Sequence, residues 1–228
     1  MKRPSRINFI KIRDAYKKRG VDNVRLTQSS LFLTQNIDAA KANYNFEVLE
    51  TNTGAISDEI RLNINDEFII THAGIFLVGS FSSSGLPGVF TPFVLTTAPI
   101  EQNGASGDLD ALYSGTMKIG VNNIIYVEKW DLRKHQQRQR TQFASFIAGV
   151  PTATLPSIES DMDGMISVEP MVTLSGAKKN DISIQLPRAF SPRTFSMVSQ
   201  NAETITFNVT RIGLKLFGLN AQNASKFQ

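Results

Sequence analysis

The hydrophobic pattern changes period near residue 24. Before it, Phe9, Ile12 and Tyr16 recur at helical spacing with Ile10 beside them. This predicts a short amphipathic helix over residues 8–18, ended by Gly20. After it the period is two. Ile60, Leu62 and Ile64 alternate with Glu59, Arg61, Asn63 and Asn65, and Ile182, Ile184 and Leu186 alternate with Asp181, Ser183 and Gln185. Both stretches read as half-buried antiparallel strands. Ile166, Val168, Val172 and Leu174 form a third alternation with Pro170 in the same phase. Proline has no N–H to donate, so that strand lies at an edge or carries a bulge.

Two longer runs say more. Residues 68–78 are apolar in both phases, so this strand is expected to be covered on both faces. The C-terminal run starts with Ile205, Phe207 and Val209 and resumes in the opposite phase as Ile212, Leu214 and Leu216. A β-bulge near Thr210 and Arg211 supplies the one-residue slip that puts all six on the core side of one long strand over 203–217. Further strand runs fall near 24–35, 43–50, 89–95 and 116–128. Residues 82–88 and 104–107 are loop-like, 109–113 read as one helical turn, and 132–146 as a short helix or a long loop.

The helical stretches that a bundle or a βαβ fold needs between strands are missing, and neither repeat nor hinge-like linker divides the chain. The expected fold is all-β: a single jelly-roll β-sandwich of about eight or nine antiparallel strands over residues 25–228, preceded by an arm, residues 1–24.

Charge sharpens that division. The 228 residues carry a net +4, but residues 1–25 hold nine basic side chains against Asp14 and Asp22, a net +7, and the remaining 15 basic and 18 acidic groups leave the body at −3. Lys2, Arg3, Arg6, Lys11, Arg13, Lys17, Lys18 and Arg19 are the candidate contacts to nucleic acid or to a partner surface. A solvated, partly disordered terminus and a helix packed on its own domain are the alternatives. On the first reading the arm is not needed for the fold of the body.

Candidate chemistry is sparse. With no cysteine and only His72 and His135, a disulfide scaffold, a Cys nucleophile and a multi-His metal centre are excluded. No catalytic or phosphate-loop motif appears, so neither enzymatic activity nor a cofactor is expected. His72 lies in the most apolar strand and reads as a satisfied buried histidine. His135, in a donor-rich run, reads as part of a solvated or inter-subunit loop, with a nucleic-acid or carboxylate contact as the alternative. Glu159, Asp161 and Asp163 precede Gly164 like the opening of a calcium loop. The twelfth position of that loop is Pro170 and not Glu, so the EF-hand reading fails and only a looser surface calcium site stays open. The same three carboxylates are the nominees for a jelly-roll hydrolase. One tryptophan, Trp130, and four tyrosines do not make a sugar or single-strand binding platform. No apolar run is long enough for a membrane-spanning helix and no signal-peptide core is visible, which points to a reducing compartment.

The order of these segments carries a resemblance. A basic arm is followed by EIRLNINDEFIITHAGIFLV, then LDALYSGTMKIGVNN, then Trp130 to Leu132, then VEPMVTLSGAKKNDISIQLP and a last strand near the C-terminus. Over about residues 25–217 this resembles the jelly-roll capsid proteins of small tailless bacteriophages. The resemblance implies a virion structural protein that self-assembles from identical subunits into a closed icosahedral shell in the host cytoplasm. Its arm would contact neighbours, genomic nucleic acid or the particle interior, and other capsid proteins are further partners. The competing reading is a phage fibre or receptor-binding β-sandwich module.

Overall fold

A computed structural model of the chain describes residues 6–21, 24–50, 59–81, 87–90, 111–135, 143–147, 150–153, 164–198 and 204–224. Among them one helix, α1 (Arg6–Lys18), precedes twelve strands: β1 (Arg25–Asn36), β2 (Asn43–Phe46), β3 (Glu67–Phe81), β4 (Pro87–Phe90), β5 (Thr116–Val121), β6 (Ile124–Asp131), β7 (Phe143–Ile147), β8 (Val150–Ala153), β9 (Ile166–Ser175), β10 (Asn180–Gln185), β11 (Arg193–Val198) and β12 (Thr204–Gln222). Residues 111–113 are helical, as the sequence predicts for that turn.

The long strand β12 organises the larger sheet. β3 runs antiparallel along one side of it; on the other, β11 pairs with its first part and β1 with its second. β3 in turn carries β9 near its start and β4 near its end. The sheet is therefore four strands wide at either level. The second sheet has the order β2-β10-β5-β6 and is antiparallel throughout. β7 and β8 pair with each other. Leu33, Ile70, Ile75 and Leu214 of the larger sheet and Phe46, Ile119 and Ile182 of the smaller one belong to a single buried core. The chain is an all-β sandwich of two antiparallel sheets.

The phase flip near the C-terminus is a real bulge. β12 pairs Val209 with Gly79 and Arg211 with Val78, so Thr210 is the extra residue. Its carbonyl is taken up by the Ile37 N–H at 2.8 Å. Val209, Ile212, Leu214 and Leu216 are all in the core; the side chains of Ile205 and Phe207 lie outside the described residues. A second slip places Thr71 of β3 as an extra residue between Ile70, opposite Gly218, and His72, opposite Phe217. There the Thr71 hydroxyl donates to the Phe217 carbonyl at 3.0 Å. As expected, β3 is buried on both faces over most of its described length.

Pro170 meets both conditions that the sequence sets for it. Among the described residues β9 pairs only with β3, and residues 168–171 stand opposite Thr71 alone.

Elsewhere the structure corrects the reading. The run 116–128 is a hairpin and not one strand. It reverses at Asn122 and Asn123, with φ of 51° and 64°. Asparagine tolerates this left-handed backbone better than other non-glycine residues, and the tight turn demands it twice in succession. β7 lies within a segment read as helix or loop, and β8 and β11 were not foreseen. The alternating stretch 59–65 is not a strand. It makes isolated bridges, Ile60 to Phe32 and Leu62 to Leu49, and leaves Ile60 52% and Ile64 61% exposed while Leu62 is buried. The residues turned inward beside Leu62 are Glu59 and Arg61, which pair with each other.

Candidate interaction surface

α1 is built to lie on something. Ile12 and Tyr16 fall one turn apart, so they share a face, and that face is buried against Ile69 of β3 and Leu219 and Ala221 of β12. These three project from the side of the larger sheet opposite the main core, so α1 forms a partial third layer there. Residues after the helix hold it in place. Gly20 sits at φ 80°, its N–H bonds the Lys17 carbonyl at 2.9 Å, and the Val21 N–H reaches back to the Tyr16 carbonyl at 3.1 Å. This pair of bonds is the Schellman motif, which needs a left-handed residue where glycine stands. Val21 packs into the same cluster as Tyr16, the usual apolar contact across such a cap.

The polar anchor is Glu67, the first residue of β3, whose side chain is 1% exposed. It accepts a hydrogen bond from the Tyr16 hydroxyl at 2.7 Å and two from the Arg19 guanidinium at 3.1 and 3.0 Å. Arg19 also lies 5.1 Å from the centre of the Tyr16 ring. Burial, and then the bond to Glu67, push the Tyr16 hydroxyl far above the ordinary tyrosine range, so it remains a donor. The bond to Glu67 pushes Arg19 upward as well.

This geometry sorts the eight basic residues that the sequence nominates. Lys11, Arg13, Lys17 and Lys18 are exposed, and helical spacing puts them on the face turned away from Ile12 and Tyr16. Asp14 shares that face and Ile10 is exposed on it, while Phe9, a turn before Ile12 on the inner side, is also exposed. Arg19 is instead turned to the body and bound by Glu67. Lys2, Arg3 and the side chain of Arg6 lie outside the described residues, as do Glu159, Asp161 and Asp163. Glu67 escapes sequence reasoning because nothing in EFIITHAG marks a carboxylate that faces a helix fifty residues earlier.

Neither histidine belongs to such a surface. His135 is buried, which corrects the expectation of a solvated or inter-subunit loop. A 3-10 turn, Leu132–His135, carries it inward. The indole N–H of Trp130 donates to His135 Nε2 at 2.9 Å, which leaves the proton on Nδ1, 3.0 Å from the Gly164 carbonyl. Lys134 covers the indole at 4.5 Å. Burial is the main cause that lowers the His135 pKa, with Lys134 adding to it. His72 is half-buried, with Nδ1 3.0 Å from the Thr71 hydroxyl and its ring edge-on to Phe217, and burial lowers its pKa too.

A testable consequence follows from the sign of these shifts. A histidine whose folded pKa lies below the ordinary 6.5 contributes stability that is complete above that value and is lost as pH falls through the folded pKa. The unfolding free energy is therefore expected to drop below about pH 6.5 by up to about 1.4 kcal/mol per pH unit from the buried His135, with a smaller part from the solvent-screened His72. Denaturant midpoints measured between pH 8 and 5 check this. His135→Gln keeps an acceptor and a donor and should flatten the profile; an unchanged slope would show that His135 does not contribute.

Among the described residues no three or more His, Asp or Glu side chains gather as a metal group. A shallow hollow of about 180 Å³ lies between Lys118, Asn123, Ile125 and Asp181 at the β5–β6 turn. It is smaller than the usual small-molecule pocket. No protein-family model, curated protein or solved structure matches the chain significantly.

Proposed function

We propose that this chain is a capsid subunit, a single jelly-roll that assembles with identical copies into a closed icosahedral virion shell. The observation that carries this reading is α1 itself. A basic helix is fastened by its inner face to a β-sandwich, and Lys11, Arg13, Lys17 and Lys18 are held outward together. A cationic face on an otherwise mildly acidic body suits contact with a neighbour, with other capsid proteins, or with nucleic acid in the particle interior. Two antiparallel sheets, each four strands wide, suit a jelly-roll barrel. Point-group assembly repeats one contact many times, so a modest surface suffices. On this reading the protein resides in the virion and is assembled in the host cytoplasm.

Particle mass tests the proposal. The purified full chain should form closed megadalton particles, visible by negative-stain microscopy. Replacing Lys11, Arg13, Lys17 and Lys18 together with Gln should cut particle yield while leaving the unfolding temperature of the subunit nearly unchanged. A protein that stays monomeric under all assembly conditions overturns the reading, and a stable trimer points instead to a fibre or receptor-binding module.

A further inference from the structure

The packing that holds α1 is separate from the main core. Ile12, Tyr16 and Val21 meet Ile69, Leu219, Ala221 and Ala224 in a small cluster of their own, while the two sheets share a much larger one. The remaining attachment is ionic: the Glu67 carboxylate, almost fully covered, with Arg19 still 42% exposed above it. Such a pair is a poor net stabiliser, because desolvation of the carboxylate offsets most of the attraction. Yet it is sensitive to loss of Arg19, because the covered Glu67 then loses a cation that compensates its charge. A small apolar contact closed by a charge pair is the design of an element that opens without the rest of the fold.

We infer that Tyr16, Glu67 and Arg19 form a latch that gives α1 two states, docked on the end of β3 and β12 or released from it. The two states show a partner different surfaces. Docked, α1 presents the cations Lys11, Arg13, Lys17 and Lys18, with Ile12 and Tyr16 hidden. Released, it bares Ile12, Tyr16 and Val21, frees the Arg19 guanidinium, and uncovers Glu67 and Ile69 on the body. A helix of 13 residues is marginal alone in water, so release also melts it. The latch thereby couples the shape of the arm to the charge on one buried carboxylate. This inference concerns the subunit alone and stands or falls independently of the shell reading.

Hydrogen exchange on the full chain tests it. In the unaltered protein the amides of residues 9–18 should exchange faster than those of β12 that bond to β3. Arg19→Met, which removes the guanidinium that the covered Glu67 binds while α1 is docked, should raise exchange in α1 by about a hundredfold. Glu67→Gln keeps an acceptor but loses the charge and should raise it by about tenfold. Neither should change exchange in β3 or β12 away from the docking site. The double variant should open less than the product of the two single effects, because both act on one interaction. The inference is overturned if α1 exchanges only with global unfolding, if the variants loosen α1 and the sheets alike, or if their effects multiply as independent ones.

Discussion

Val209→Ala and Leu214→Ala, which stand on opposite sides of the bulge at Thr210, are both expected to destabilise the subunit strongly. In an unbroken pleat residues 209 and 214 point to opposite faces, and one substitution would be mild. The extra residue at Thr210 reverses the phase and brings both into the core, where each is almost wholly buried. Truncating Leu214 should cost about 2–5 kcal/mol with its cavity included, and truncating Val209 about 1.5–3 kcal/mol. Either is a large share of the 5–15 kcal/mol or so that typically holds a domain together. Urea or guanidinium unfolding of the two variants measures the difference directly. If one proves mild, the side chain on that side of Thr210 does not face the core, and β12 is a regular strand there. Yield of assembled particles adds a separate reading: a variant that folds normally but does not assemble would place its side chain at an interface.

The bulge was legible because six large apolar residues in two phases leave few other solutions. β3 was legible for a related reason, since only a strand covered on both faces tolerates an apolar run of that length. Pro170 marked an edge by chemistry and not by pattern. The failures have equally specific causes. In the hairpin of β5 and β6 the apolar residues continue straight across the turn, from Ile119 and Val121 to Ile124 and Ile125, and only Asn122-Asn123 betrays the reversal. The helix period in the arm was readable, and so was its end at Gly20. What the apolar residues would pack against was not, because the apolar outer face of β3 at Ile69 announces a cover without identifying it, and Leu219 and Ala221 of β12 carry no such pattern. The expectation that the arm is dispensable for the fold rests on the change near residue 24 from basic, helix-like sequence to period two. The structure adds a buried carboxylate that the arm covers, which makes part of the arm a packing element. His135 was misplaced because its neighbours are polar, while Trp130 and the Gly164 carbonyl, which settle its position, are brought to it by the fold.

The stretch from Glu59 to Ile64 misleads most, and it yields the largest effect expected from a single substitution. Period two places Ile60, Leu62 and Ile64 inward, yet of these only Leu62 is buried, and Glu59 and Arg61 turn in beside it, 1% and 7% exposed. Arg61 grips Glu59 Oε2 with Nε at 3.1 Å and Nη2 at 2.8 Å, while Glu59 Oε1 accepts from the backbone N–H and the hydroxyl of Thr34 on β1 at 2.8 and 2.7 Å. Ile60 and Phe32 exchange backbone bonds at 2.8 and 2.9 Å, and Leu62 bonds with the chain at Val48 and Glu50. The segment thus closes part of the β1 edge and ties it to the connection after β2, and the charge pair sets which side chains face in. Arg61→Met should cost up to about 3–5 kcal/mol, because the almost fully buried Glu59 loses the guanidinium that grips its Oε2. Glu47, 69% exposed, also bonds Arg61, so Glu47→Gln is a control expected to change stability by less than about 1 kcal/mol. Adding Glu59→Gln to Arg61→Met removes the buried charge and should recover a substantial part of the loss, a coupling that a double-mutant cycle in denaturant measures. If Arg61→Met alone changes the unfolding midpoint no more than the control does, the pair does not hold this segment, and the alternation of Ile60, Leu62 and Ile64 regains its claim to the inner face.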